Sequence, residues 1–153
     1  MGKEHTDMTP TLFGRIQSRI FLVATVGVPL AFLLALFLSR PEGASYTDQL
    51  RVFFAALLIV AVVGVIWELI YHVAQQYRWE KDWPTIFSLL VGIPEFFTTW
   101  LLLRAGIPWD LGDIPLGTII PMFVITWIVI WIVAQGPLQI VFPRWRYRGG
   151  RFV

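Results

Sequence analysis

Four long stretches of this chain are apolar and almost free of charge, at residues 20–38, 50–74, 85–103 and 117–142. The first and last contain no Asp, Glu, Lys or Arg at all. A run of ~20 apolar residues in a helix spans the ~30 Å hydrocarbon core of a bilayer. Lipid offers no hydrogen bonds, so a spanning segment must satisfy its own backbone, as a helix does. Strands of a membrane barrel would instead alternate polar and apolar over about 10 residues. These runs are continuously apolar. The expected fold is therefore an all-α integral membrane protein with four transmembrane helices and no soluble domain.

Composition agrees with this. Hydrophobic residues make up 57% of the 153 residues and charged ones 14%, where a soluble domain carries about 25% charged. Four spans leave a polar arm at 1–19, short connections and a tail at 143–153. Basic residues before an apolar run also open signal peptides. The first run, however, exceeds the usual 7–15 residue core of such a signal, and no A-x-A site follows it. There is no Cys, which excludes disulfides, thiolate metal sites and a Cys nucleophile.

Charge placement predicts orientation. With both termini cytoplasmic, nine Lys and Arg lie on the inner side (Lys3, Arg15, Arg19, Arg78, Lys81, Arg144, Arg146, Arg148, Arg151) and three on the outer side (Arg40, Arg51, Arg104). Short cytoplasmic loops carry such an excess. A plasma membrane is the expected location, with a lean toward a bacterial inner membrane.

Ionisable groups inside spans are costly and mark function by default. Here they are Glu68, His72 and Glu95. On the second segment Ala61, Gly64, Glu68, His72 and Gln75 fall on one helical face. On the third, Ser88, Gly92, Glu95 and Thr99 do the same. Small and polar residues on one face let helices approach closely, so these two faces are expected to pack together as a polar seam. Counting 1.5 Å per residue from the first apolar position places Glu68 about 27 Å below the outer boundary and Glu95 about 15 Å above the inner one. On that count the two carboxylates meet only if tilt or register offset brings them together.

Three readings of the seam compete. In the first, Glu68 hydrogen-bonds His72 one turn away, and Glu95 is protonated or pairs with a polar group on a neighbouring helix or subunit. In the second, the carboxylates form a proton or ion path. In the third, Glu68, His72 and Glu95 bind a metal. No H-E-x-x-H or Glu-x-x-His motif supports the third, and neither a metal nor a cofactor is expected. Pro94, beside Glu95, leaves the carbonyl of Leu90 without its helical donor.

Gly27, Ala31 and Ala35 form a small-residue packing stripe on the first segment. Pro121 and Pro137 predict kinks near both ends of the fourth. Trp127 and Trp131 read as packing or lipid contact, and Gln135 and Gln139 as hydrogen-bonding to the inner end of the second segment. Tyr77, Trp79 and Trp83 suit the headgroup belt. In the tail Arg144, Arg146, Arg148 and Arg151 accompany Trp145 and Tyr147, a pattern that fits an anionic inner leaflet better than nucleic acid. Asp110 and Asp113 in the outer loop read as solvated acids.

No P-loop, dinucleotide fingerprint or nucleophile elbow occurs. The expectation is a non-enzymatic accessory or structural subunit of a larger plasma-membrane complex, with membrane lipids and other membrane subunits as partners. The alternatives are a small oligomeric proton or ion channel or carrier using the intramembrane carboxylates, and a membrane enzyme with a Glu/His metal site.

Overall fold

The computed structural model describes residues 12–77 and 85–142, and all regular structure among them is helical. Three helices are long and apolar enough to cross a membrane: Leu12–Phe37, Tyr46–Ala74 and Leu116–Val141.

The first is α1 (Leu12–Leu22) and α2 (Val28–Phe37), joined through a π-helical turn at Val23–Gly27. It begins at least eight residues before the apolar run at Ile20, so part of the predicted polar arm is helix. The π turn has a local cause. Pro29 has no N–H, and its ring crowds the carbonyl four residues back, that of Thr25. The backbone widens instead, and the Val28 N–H bonds Val23 O, five residues back.

A turn at 38–45 follows, with Gly43 at φ +79°, a region open to glycine without penalty. Helix α3 (Tyr46–Gln76) is then started by a reciprocal cap. The Asp48 N–H donates to Ser45 Oγ (3.2 Å) and the Ser45 N–H donates to Asp48 Oδ2 (3.0 Å). At 31 residues α3 is about 46 Å long, more than the bilayer core requires.

The third predicted segment is two helices, α4 (Thr85–Leu90) and α5 (Gly92–Arg104), broken at Val91. Pro94 sits in the first turn of α5, where a missing N–H leaves no bond unmade. Helix α5 ends in a Schellman motif. Gly106, at φ +76°, donates to Leu103 O (3.1 Å), and Ile107 N–H donates to Leu102 O (3.0 Å). The 105–115 loop tucks Ile114 into the core, and Asp110 Oδ1 accepts from the Gly112 N–H. Helix α6 (Leu116–Gln135) runs without interruption through Pro121, so of the two predicted kinks only that at Pro137 interrupts the helix. There Gly136 separates α6 from α7 (Pro137–Val141).

Helix α3 is central, packing on α1, α2, α5 and α6. Its Phe53, Ala55 and Ala56 share one buried core with Ala31 and Ala35 of α2 and with Leu103, Ile119 and Met122. The predicted stripe is buried, with Ala31 and Ala35 wholly so. The outside is the reverse of a soluble protein. Leu58, Val62, Ile66, Leu69 and Val73 on α3, Ile93, Phe97 and Leu101 on α5, and Ile120, Val124, Ile128 and Ile132 on α6 are all exposed. Contiguous apolar surface of this extent is stable only against lipid or another apolar partner.

Replacing Ala31 with Leu should overpack the α2–α3 contact and destabilise the fold by about 1–3 kcal/mol. Leu33→Ala on the exposed face should change stability far less. Unfolding in mixed detergent micelles measures both.

Candidate functional site

The polar seam on α3 and α5 is closed by a residue of α1. Arg19 lies four residues after Arg15 and one after Ser18, on the α1 face turned to α3. Its guanidinium forks onto Glu95, with Nη1 donating to Oε2 at 2.7 Å and Nη2 to Oε1 at 2.8 Å. Nη2 and Nε also donate to Glu68 Oε1, at 2.7 and 3.2 Å. Arg15 Nη1 stands 3.8 Å from the other Glu68 oxygen. Side-chain exposure is 9% for Arg19 and 2% for Glu95. Two guanidiniums and two carboxylates thus form a group with no net formal charge, drawn from three helices.

This arrangement needs room, and glycine supplies it. A Cβ on Gly64 would fall 2.9 Å from Arg19 Cζ, so a larger residue forces the guanidinium to move. The same holds across the bundle, where a Cβ on Gly92 would fall 2.6 Å from Trp127 Cε2. With that space open, Trp127 Nε1 donates to Leu89 O at 3.0 Å. Trp131 Nε1 reaches Ser88 Oγ at 2.9 Å. The Tyr71 hydroxyl donates to Val91 O at 3.3 Å. The break between α4 and α5 is therefore held by side chains of α3 and α6.

Most predicted seam residues meet here. Glu68 and Glu95 meet through Arg19, so the depth estimate that set them about 12 Å apart is corrected. Depth counted from the first apolar residue fails because α3 begins four residues earlier and outruns the bilayer. Thr99 is buried one turn above Glu95, and Gly64, Gly92 and Ser88 each make a contact described above. Ala61 is half-buried one turn beyond Gly64. His72 is half-buried one turn below Glu68. Glu68 is engaged by Arg19 and faces Arg15. Among the described residues no three His, Asp or Glu side chains group as metal ligands, so Glu68, His72 and Glu95 are not assembled into a metal site. Gln75 lies in the last turn of α3. Gln139 Nε2 turns back to Ala134 O at 3.5 Å, a carbonyl next to the Gly136 break, rather than to α3. Trp79, Trp83, Arg144, Trp145, Arg146, Tyr147, Arg148 and Arg151 lie outside the described residues.

Sequence reasoning missed Arg15 and Arg19, which it assigned to the cytoplasmic flank. A signal was present. No proline separates Leu12 from Ile20, and Gly14 and Ser18 form a short small-residue stripe four apart, in line with Leu22. That stripe is buried.

Beside the network lies a cavity of about 220 Å³. Helix α6 packs on the π turn and on α2 but stands off α1, and the cavity fills that gap. One end is walled by Val23, Leu57, Val60 and Met122, while Arg15, Ser88 and Gln135 line the other.

Arg19→Met should strand two buried carboxylates and destabilise the fold by about 3–5 kcal/mol, the range for breaking a buried pair from one side. The triple change Arg19→Met, Glu68→Gln, Glu95→Leu should recover much of that loss. Gly64→Leu should act like Arg19→Met although it removes no charge. Chemical denaturation in micelles compares the three. A Gly64→Leu protein as stable as the parent would count against the clamp.

Comparison with known proteins finds no matching family model, no matching curated protein and no matching solved structure, so the site is read from its own chemistry.

Proposed function

We propose that this chain is a non-enzymatic accessory subunit of a larger plasma-membrane assembly, crossing the bilayer four times with both termini cytoplasmic. The observation that carries the reading is the closed Arg15–Glu68–Arg19–Glu95 group. A proton or ion path needs a carboxylate that can change its charge. Here Glu95 and Glu68 hold fixed positive partners within the same chain, as structural charges in spans do. The group locks three helices and leaves long apolar faces on α3, α5 and α6 for neighbouring helices or lipid.

Two further points support the topology. Helices α4 and α5 with Val91 cover residues 85–104, which at 1.5 Å per residue is about 30 Å, a bilayer core. Removing Arg15 and Arg19 from the loop count leaves seven basic residues inside against three outside, so the orientation bias persists. The basic-aromatic tail would then lie on the anionic inner leaflet, and a bacterial inner membrane fits this picture.

A second reading, a small oligomeric carrier, is favoured by the cavity beside the network.

The test is purification from the native membrane in mild detergent, followed by particle mass and mass spectrometry. The expected outcome is a set of defined proteins in fixed ratio to this chain. Emergence as a lone homo-oligomer would overturn the accessory reading. Liposomes holding the purified chain should show no proton or cation flux above empty ones. Flux abolished by Glu95→Ala would establish the carrier instead.

A further inference from the structure

The cavity beside the ionic group offers a ligand almost no hydrogen bond, because the polar side chains on its wall are engaged elsewhere. Ser18 Oγ donates to Gly14 O at 2.7 Å, and Arg19 is bound to Glu68 and Glu95. Trp127 and Trp131 line the cavity too, but their ring N–H groups donate to Leu89 O and Ser88 Oγ. Thr126 meets it without its hydroxyl, whose oxygen has under 1 Å² of accessible surface. Arg15 Nη1 stands 3.8 Å from Glu68, and Gln135 is exposed at the end of α6.

A ligand with donors or acceptors of its own would leave them unmade here, which weakens binding. What the wall does offer is carbon. On α6, Phe123, Trp127 and Trp131 follow one another at spacings of four, and the first two rings stack with centroids 6.0 Å apart and planes 9° from parallel. Rings that meet edge-on or offset gain more than the area they bury. Leu22, Val23, Leu57 and Val60, from the first helix and α3, supply aliphatic surface. An apolar cavity of ~150 Å³ binds benzene. This one, at about 220 Å³, has room for a second, fused ring.

We infer that the cavity between α1 and α6 binds a small uncharged aromatic molecule of one or two rings, taken up from the membrane, and selects against the same rings bearing a hydrogen-bonding group. The fit has a structural origin. Helix α6 packs on the π turn and on α2 but stands off α1, and a ring in the gap completes the packing between them. A ligand that binds only the folded bundle also stabilises it by mass action. This binding is independent of whether the protein is a subunit or a carrier.

The test uses the full chain in lipid nanodiscs and a photoreactive probe of this class, a phenyl diazirine carrying iodine and a trifluoromethyl group, with labelled residues read by mass spectrometry. Labelling should appear at Val23, Leu57 and Met122, which are buried on the cavity wall, and excess indene should remove it. Labelling of Val62, Ile66 and Val124 on the exposed surface should not respond to indene. Indole, which matches indene in shape but brings an N–H, should compete about tenfold less well at equal concentration in the membrane. Val60→Phe, which fills the cavity, should abolish the competed labelling, and Ala134→Phe serves if that variant does not fold. No competed labelling, equal competition by indole, or equal competition by n-nonane, an alkane that mimics a lipid tail, would overturn the assignment.

Discussion

Arg19 is a permanent cation held among helices whose outer surface is suited to hydrocarbon. Its side chain is only 9% exposed, so most of its charge must be met from within the bundle. A guanidinium offers donors on a planar fork, and this one spends them on two carboxylates from two other helices. Each contact relies on the others. Without Arg19 the acids of α3 and α5 would repel across the seam. With a side chain at position 64 the guanidinium would have to shift, and without Arg15 the group would carry a net negative charge. The relative positions of α1, α3 and α5 are thus tied to one side chain.

The same demand for internal satisfaction governs the backbone. The chain breaks regular α-helix at Val23–Gly27, Val91 and Gly136, and a proline lies within three residues of each in the sequence. Such breaks free carbonyls from the helical hydrogen-bond ladder. Tyr71 and Trp127 supply donors at the second, and Gln139 at the third. Aromatic residues at helical spacing, which look like bulk packing in the sequence, therefore serve as hydrogen-bond donors. Phe96, Phe123 and Trp127 pack edge and face around that join, with ring centroids 5.2 and 6.0 Å apart.

What the sequence made legible and what it hid follow from one distinction. Apolar runs report which segments can enter a membrane, and small-residue stripes report which faces approach. Both were readable, and Gly27, Ala31, Ala35, Gly64 and Gly92 all sit at close contacts or in the core. Register between helices is different. It is not set by where the apolar letters begin, because α1 starts in polar sequence and α3 extends beyond both ends of its run. Hence Glu68 and Glu95 seemed to lie at different depths, and Arg19 seemed to belong to the aqueous flank. Pro29 was equally readable as a source of irregularity, yet an unbroken apolar run conceals a π turn, since widening one turn changes no residue's polarity.

Why the centre is ionic rather than apolar follows from the weakness of the other forces. Between helices in lipid there is no hydrophobic drive, and packing depends on close approach of small residues. The stripe Gly27, Ala31, Ala35 repeats every four residues. Sliding α2 by one turn, about 6 Å along its axis, would again place small residues against α3. Such packing alone leaves neighbouring registers close in energy. An ionic centre does not repeat. A one-turn slip would separate Arg19 from both carboxylates and expose three charges to hydrocarbon. Replacing buried ion pairs with well-fitted apolar residues often leaves stability unchanged or improved, so stability alone does not account for this group. Its distinctive contribution is selection of one register among several that the small-residue stripes would accept.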